Sequence, residues 1–246
     1  MSLLFRHVFR QHRGVEKTAL SITGIDLSQD AIDLAFRNLR HQKLTTAISD
    51  VDTINFVPAD VLHDQADNPT LNRPIGSTDI LSALAQHQTS REAGSDCSIL
   101  ISNPPYIDPG WFENRLTSSV RNFEPGLALV PPPAAPVRGK KRVVTADVFY
   151  PHLLSIADKV NAKVIMFEVG GANQARRVAK MVEKRACSPA WSNIEIWKDQ
   201  PTLDGNAGHS LVKDPYVDRT NVRGNGIART VFACRGVGED WLNDEH

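Results

Sequence analysis

Short apolar runs alternate along the chain with segments in which apolar residues recur at helical spacing. The runs that predict strands lie at residues 19–25, 53–57, 97–102, 162–168, 194–198 and 228–234. The segments that predict helices begin at Ser28, a candidate N-cap, and at residues 147 and 172. Strands alternating with helices predict an α/β fold with a mostly parallel sheet covered by helices on both faces.

Two long polar stretches interrupt this alternation, at residues 63–96 and 201–226. Both are longer than ordinary connections between a helix and a strand, so we interpret them as insertions. A weak helical pattern near residues 80–84 lies inside the first. The rest of residues 1–246 is predicted to form a single domain.

The first 14 residues have two interpretations. They contain Arg6, Arg10 and Arg13, no acidic residue, and an apolar stripe. This composition is typical of a mitochondrial presequence, but the stripe also fits an amphipathic helix of the fold.

Charge and cysteine content narrow the class of protein. Lys plus Arg and Asp plus Glu both total 28, so the formal net charge is zero and exerts no long-range attraction on nucleic acid or anionic lipid. The three cysteines are far apart in the sequence and form no CxxC pair. This spacing favours a protein of a reducing compartment that has no structural metal site. No apolar run approaches the roughly 20 residues that a membrane span needs.

The run at 97–102 is apolar throughout, as expected of a central parallel strand, and it ends at Asn103-Pro104-Pro105-Tyr106. Two prolines fix φ and remove two backbone donors, so this loop is stiff and its carbonyls remain available. An Asn side chain and a neighbouring carbonyl could accept both hydrogens of one NH2 group and turn its nitrogen lone pair toward an electrophilic methyl. Tyr106 offers a ring on which a planar amide or base could stack. The alternative is an ordinary turn after a strand.

Two aspartates fall at predicted strand ends. Asp26 precedes a helix and could chelate the ribose hydroxyls of a nucleoside, or only cap that helix. Asp60 could accept a hydrogen bond from an adenine amino group, or belong to a surface turn. In parallel sheets, ligands bind outside the carboxyl ends of the strands, where Asp26, Asp60 and Asn103 are all expected.

Several segments resemble the HemK/PrmC family of class I methyltransferases in order and spacing, over nearly the whole chain apart from the insertions. They are Gly24-Ile25-Asp26, Ala59-Asp60-Val61, Ile101 to Ile107, Arg121-Asn122-Phe123-Glu124-Pro125, Phe167-Glu168-Val169-Gly170, Trp197-Lys198-Asp199 and Ile227-Ala228-Arg229. The Asn-Pro-Pro-Tyr motif alone is shared with DNA adenine methyltransferases, and the Phe-Glu-Pro segment discriminates better.

The resemblance implies a function. Members of this family use S-adenosyl-L-methionine to methylate the glutamine amide in the Gly-Gly-Gln loop of peptide-chain release factors. It implies that Asn103 and the Pro104 carbonyl hold this amide and that Tyr106 packs on it. Pro105 completes this loop, and Glu124 is implied to help bind the substrate. Asp26 is implied to take the ribose of the cofactor, and Asp60 with Val61 its adenine end. Asn103 is implied to contact the cofactor as well as the substrate.

The sequence departs from the family at its beginning. The family's first strand and glycine-rich cofactor loop would precede the first helix, yet the sequence starts at Met1 within that helix, so both are expected to be missing. Two alternatives therefore remain: a nucleic-acid adenine N6-methyltransferase, and a catalytically inactive fragment that at most binds a partner. The long polar insertions favour a mitochondrial protein, with a cytoplasmic one as the alternative.

Overall fold

The computed structural model describes residues 21–45, 53–62, 78–87, 99–133, 144–201, 212–213 and 220–243. The presequence or helix expected over residues 1–14 lies outside these ranges. The chain divides into two compact units, Met1–Ala93 and Gly94–His246. The prediction of a single domain stays a prediction.

Unit 1 contains a three-stranded parallel sheet. Its elements are β1 (Ser21–Asp26), α1 (Gln29–Thr45), β2 (Thr53–Asp60), β3 (Thr78–Asp79) and α2 (Ile80–His87), with strand order β1-β2-β3. Helix α1 begins as predicted after Ser28, whose carbonyl accepts the Ile32 N–H at 3.1 Å. The apolar face of α1 meets the sheet where the ring of Phe36 contacts that of Phe56 edge to face, with 5.1 Å between centroids.

One strand boundary predicted for unit 1 needs correction. Strand β2 does not end with the predicted run at residues 53–57 but continues to Asp60. Pro58 is the last residue paired with β1, and pairing with β3 begins at Ala59. The missing N–H of Pro58 therefore falls at the last paired position of the β1–β2 ladder. The first predicted insertion also contributes structure, because β3 pairs with β2 and α2 covers the weak helical pattern near residue 80.

Unit 2 is built on a six-stranded mixed sheet. Its strands are β4 (Ile99–Ser102), β5 (Val164–Glu168), β6 (Ser192–Gln200), β7 (Val212–Lys213), β8 (Thr220–Arg223) and β9 (Asn225–Cys234), in the order β4-β5-β9-β6-β8-β7. The β4–β5 and β6–β8 pairs are parallel, whereas β9 runs antiparallel between β5 and β6.

Its helices connect these strands. They are α3 (Pro109–Arg115), α4 (Ser118–Phe123), α5 (Gly126–Leu129), a 3-10 turn (Thr145–Asp147), α6 (Phe149–Lys159), α7 (Ala172–Glu183) and α8 (Val237–Asn243). Helix α7 packs against β6 and β9. Its buried residues Val178 and Val182 meet a core that includes Phe167 and Val231.

Strand β4 is not the central buried strand that its sequence predicts. Among the strands that the structure describes, it pairs only with β5 and lies at an edge of the sheet. Its burial reflects this position, since the Ile101 side chain is 39% exposed. Strands β1 and β4 belong to different sheets, and no described strand pairs with both.

The second predicted insertion extends the sheet. Gln200 at the end of β6 pairs with Asn225 at the start of β9, so the second insertion begins and ends at one place in the sheet. Between them, β8 adds to the edge of β6, where Arg223 forms a bidentate ion pair with Glu195 at 2.8 and 3.0 Å. Within the ranges given above, no helix has the length and apolar character needed to cross a membrane.

Candidate active site

The loop after β4, residues 103–106, is called the NPPY loop below. Asn103 is exposed, Pro104 is buried, and Pro105 and Tyr106 are half-buried. Just after the loop, the Ile107 N–H donates to the Leu129 carbonyl at 2.9 Å, so the segment of three short helices closes back on the loop. The loop thus presents one exposed polar side chain on a fixed backbone.

Tyr106 joins the NPPY loop to the next strand. Its hydroxyl donates to a carboxylate oxygen of Glu168 at 2.8 Å. Strands β4 and β5 are parallel with Ser102 opposite Phe167, so the loop and Glu168 both lie at the carboxyl ends of their strands. Burial, the hydrogen bond to Glu168 and the negative charge of Glu168 raise the pKa of Tyr106 to about 12, whereas Arg229 opposes the shift.

The Tyr106 ring lies against the backbone of Gly170. A Cβ on Gly170 would stand 3.2 Å from Cδ2 of Tyr106 and 3.3 Å from Oε1 of Gln174, closer than most real Cβ contacts. Only a glycine leaves this space open without displacing a neighbour. The sequence Glu168-Val169-Gly170 therefore supplies both the hydrogen-bond acceptor and the surface for the tyrosine.

Gln174, in the first turns of α7, lies behind this contact. Its Oε1 accepts the Gly170 N–H at 2.8 Å. Its Nε2 donates to the Ala146 carbonyl at 2.8 Å and to Oδ1 of Asp147 at 3.0 Å, with a longer contact to the Tyr106 carbonyl at 3.5 Å. One side-chain amide thus connects three segments of unit 2.

Asp147 completes this network in the core. It is 1% exposed, and Arg177 binds it through both carboxylate oxygens. The hydrogen bond to Asp147 is the main cause that raises the pKa of Arg177. The buried charge is therefore paired, as burial of a carboxylate requires.

A second ion pair lies near the same strand ends. Arg229 donates to Oδ1 of Asp199 at 2.8 Å, and Oδ2 of Asp199 accepts the Ile227 N–H at 3.1 Å. The Arg229 hydrogen bond is the main cause that lowers the pKa of Asp199. Gly226, at φ +95°, places its backbone against this carboxylate. Because the Arg229 carbonyl accepts the Val169 N–H at 2.8 Å, the pair is fixed beside Glu168.

Of the proposed cofactor residues, Asp26, Asp60 and Val61 belong to unit 1, whereas Asn103 belongs to unit 2. Asp26 ends β1, is exposed, and accepts the Ser28 N–H on Oδ1 at 2.8 Å, the helix-start contact of the alternative interpretation. Asp60 ends β2, is 9% exposed, and accepts the Leu62 N–H at 2.8 Å; Val61 lies between them, half-buried. Because β1 and β2 are parallel with Asp26 opposite Pro58, both carboxylates lie at the carboxyl edge of one ladder.

Glu124 lies apart from the tyrosine network. It is exposed at the end of α4, where its backbone N–H donates to the Val120 carbonyl at 3.0 Å. Its neighbours Phe123 and Leu127 are 85% and 67% exposed. Its proposed role in binding substrate stays a prediction.

The sequence pattern assigns no role to Glu168, Gln174 or Asp147, although the structure gathers all three around Tyr106. A signal for Gln174 is present, because it occupies the apolar stripe of α7 with Ala175, Val178 and Val182. A polar residue on such a stripe needs buried partners. Over the part of the chain that is described, no cluster of three or more His, Cys, Asp or Glu could hold a metal ion.

Comparison with known proteins gives one informative similarity, while no protein-family model matches the chain. The chain is 26% identical over 165 residues to a Schizosaccharomyces pombe (strain 972 / ATCC 24843) protein named "Probable MRF1 mitochondrial N(5)-glutamine methyltransferase mtq1". The similarity covers 66% of this chain and 44% of that protein, so the chain spans less than half of its relative's length.

Proposed function

We propose that this chain methylates a glutamine side-chain amide in the Gly-Gly-Gln loop of a peptide-chain release factor. Its motifs, which resemble the HemK/PrmC family, and the name of its relative support the proposal. The observation that carries the proposal is the NPPY loop, which ends β4 with an exposed Asn103 and is tied to β5 by Tyr106 and Glu168. The mixed α/β fold with parallel strand pairs is compatible with a class I methyltransferase.

In the proposed reaction, the Asn103 side-chain oxygen and the Pro104 carbonyl accept hydrogen bonds from the substrate NH2 group. These two acceptors orient the nitrogen lone pair toward the methyl group and stabilise the positive charge that develops on nitrogen. Formation of the nitrogen–carbon bond would be balanced at the donor, whose sulfur would keep the electron pair of its former bond to the methyl carbon. The nitrogen then loses a proton to water, so no strong base is required.

Bound S-adenosyl-L-methionine would supply the electrophilic methyl group of a sulfonium ion. The residues of unit 1 fit its nucleoside part. Asp26 offers an exposed carboxylate that, within the described residues, takes only the Ser28 N–H. We propose that Asp26 binds the ribose hydroxyls and that Asp60, with Val61, binds the adenine end.

A stiff loop explains the preference for an amide. Pro104 and Pro105 restrain the backbone that carries the two acceptors. A planar NH2 group can satisfy both acceptors, whereas a hydroxyl, with one hydrogen, leaves one of them unpaired. Glu124, with the exposed Phe123 and Leu127 beside it, is proposed to contact the release factor around the glutamine. The name of the relative also supports a mitochondrial location for this chain.

The test is direct. The chain is incubated with labelled S-adenosyl-L-methionine and a mitochondrial release factor, and the modified residue is located by mass spectrometry. We expect one methyl group on the glutamine amide, none with the Gln→Ala release factor, and transfer slowed about 10²- to 10³-fold with the Asn103→Ala enzyme. Methylation of adenine in DNA but not of the release factor would replace the proposal with the nucleic-acid alternative. Absence of transfer to both would reject the activity for this chain.

A further inference from the structure

Gln174 is buried where an apolar side chain would be expected. It is 7% exposed and shares one face of α7 with Ala175, Val178, Ala179 and Val182. Burying an amide without partners costs on the order of 1–3 kcal/mol. The residue therefore needs the contacts that it makes.

Those contacts use both ends of the amide. The oxygen accepts from the Gly170 backbone, and the nitrogen donates to Ala146 and Asp147. Neither a carboxylate nor an apolar side chain of the same size could satisfy all three. A glutamine is thus specified by chemistry as well as by volume.

The hydrogen bonds of Gln174 reach the Gly170 backbone, against which the Tyr106 ring packs. Gln174 fixes the Gly170 backbone, and the Tyr106 ring lies against that backbone, with the Gly170 Cβ position 3.2 Å from the ring. The amide nitrogen also approaches the Tyr106 carbonyl at 3.5 Å. A shift of Gly170 would therefore move Tyr106.

The two prolines pass such a shift onward. Pro104 and Pro105 have fixed φ angles and little freedom to absorb a displacement of Tyr106. Asn103 lies at the other end of this rigid pair. A misplacement of about 1 Å in an orienting group can cost on the order of 100-fold in rate.

We propose that Gln174 is a positioning residue, which sets the place of Tyr106 and, through the prolines, of Asn103. The catalytic meaning of this role rests on the proposed function, whereas the structural role does not. Gln174 touches neither of the proposed acceptors directly and acts through Gly170 and Tyr106.

The matched variants are Gln174→Met and Arg177→Met. The first removes every hydrogen bond of the amide at similar volume. The second breaks the network on the far side of Asp147, since Arg177 binds that carboxylate without a hydrogen bond to Gly170 or Tyr106. Thermal unfolding of both variants measures the shared loss of stability.

The first readout needs neither cofactor nor substrate. The ionisation of Tyr106 is followed by NMR of ring-labelled tyrosine, with Tyr106→Phe to assign the signal. We expect the pKa of Tyr106 to fall from about 12 toward 10 in Gln174→Met and to stay near 12 in Arg177→Met. Gln174→Glu, which places a second carboxylate beside Asp147, should shift the Tyr106 signal at neutral pH and recover it as the introduced carboxyl is protonated.

The second readout is steady-state methyl transfer to the release factor. We expect kcat to fall about 10- to 100-fold in Gln174→Met with cofactor KM nearly unchanged, and less than about threefold in Arg177→Met. Equal effects of the two methionine variants on the tyrosine and on kcat would overturn the proposal. So would unfolding of both Gln174 variants while Arg177→Met stays folded. If the wild-type chain transfers no methyl group, the proposed function fails and the tyrosine titration still decides the role of Gln174.

Discussion

Tyr106 is the residue whose role the structure changes most. Its sequence context predicts a ring for stacking against the substrate, and the structure adds a hydroxyl bonded to Glu168 and a ring face against Gly170. The placement of Asn103 at a strand end is predictable, because it follows from a local apolar run. The bond between Tyr106 and Glu168 spans 62 residues, and no local pattern predicts which strands become neighbours.

The Tyr106 hydrogen bond predicts a pH dependence of stability. The pKa of Tyr106 is raised from 10.0 to about 12, first by burial and then by Glu168, so the folded chain holds the phenol proton more tightly than the unfolded chain. The stabilisation is complete below pH 10 and is lost as the pH rises through 12. We expect the difference in free energy of unfolding between wild type and Tyr106→Phe to shrink across this window, as measured by urea denaturation. A constant difference would show that the hydroxyl is not held as described.

Gly170 predicts a steric effect with an internal control. Gly170→Ala brings a methyl group to 3.2 Å from the Tyr106 ring and should destabilise the chain by about 1–3 kcal/mol. Gly126→Ala meets no atom within 4 Å and should change stability by less than about 1 kcal/mol. Thermal unfolding of the two variants measures both. Equal stability of the two would mean that the ring does not lie on Gly170.

At the scale of elements, the alternation of strands and helices is predictable, but the neighbours of each strand are not. The apolar run before Asn103 predicts a central strand, yet β4 pairs only with β5 among the described strands. The apolar composition of a strand indicates that its side chains can be buried, but it does not indicate which strands will lie beside it. Likewise, β8 lies in a stretch whose polar sequence does not predict a strand. One of its polar residues, Arg223, is accommodated in the sheet by its ion pair with Glu195.

Arg235 connects several elements of unit 2, and we expect its substitution to lower the stability of the chain strongly. Arg235 follows β9 and is 2% exposed. It donates to the Asp158 carboxylate near the end of α6 at 2.9 Å and to the Ala162 carbonyl before β5 at 2.6 Å. Its guanidinium carbon lies 4.3 Å from the centroid of the Trp191 ring. Arg235→Met should cost about 3–5 kcal/mol, because it leaves buried acceptors unpaired.

Arg185 is the matched control, since it binds the same Asp158 at 2.7 Å with its side chain 33% exposed. Arg185→Met should cost no more than about 1 kcal/mol. Urea denaturation of both variants gives the comparison. A cost for Arg185→Met equal to that for Arg235→Met would contradict the ranking by burial.

At the scale of the whole molecule, the two units differ in the size of the core formed by the residues that the structure describes. The largest fully buried side chains, among them Tyr150, Phe167 and Leu154, all belong to Gly94–His246. Among its described residues, unit 1 buries fewer and smaller side chains, such as Ile32 and Val57, around three strands. A larger core resists local opening better.

We therefore predict that hydrogen exchange is slowest in β5, β6 and β9 and markedly faster in β1 and β2. A fragment of residues 94–246 should unfold cooperatively in urea, whereas a fragment of residues 1–93 should not. Exchange measured by mass spectrometry on the intact chain and circular dichroism of the fragments test this. Equal protection in the strands of both units would contradict it.

The proposed reaction depends most on Asn103, which orients the substrate nitrogen. Steady-state kinetics of Asn103→Ala with a Gly-Gly-Gln release factor tests this role most directly. The effect belongs to the transition state, so kcat should fall about 10²- to 10³-fold while cofactor binding changes little. Asp26→Ala should instead raise the cofactor KM, because the ribose is held about equally before and during transfer. If Asn103→Ala keeps more than roughly a third of the wild-type kcat, a loss below about 1 kcal/mol, the NPPY loop is not the catalytic loop.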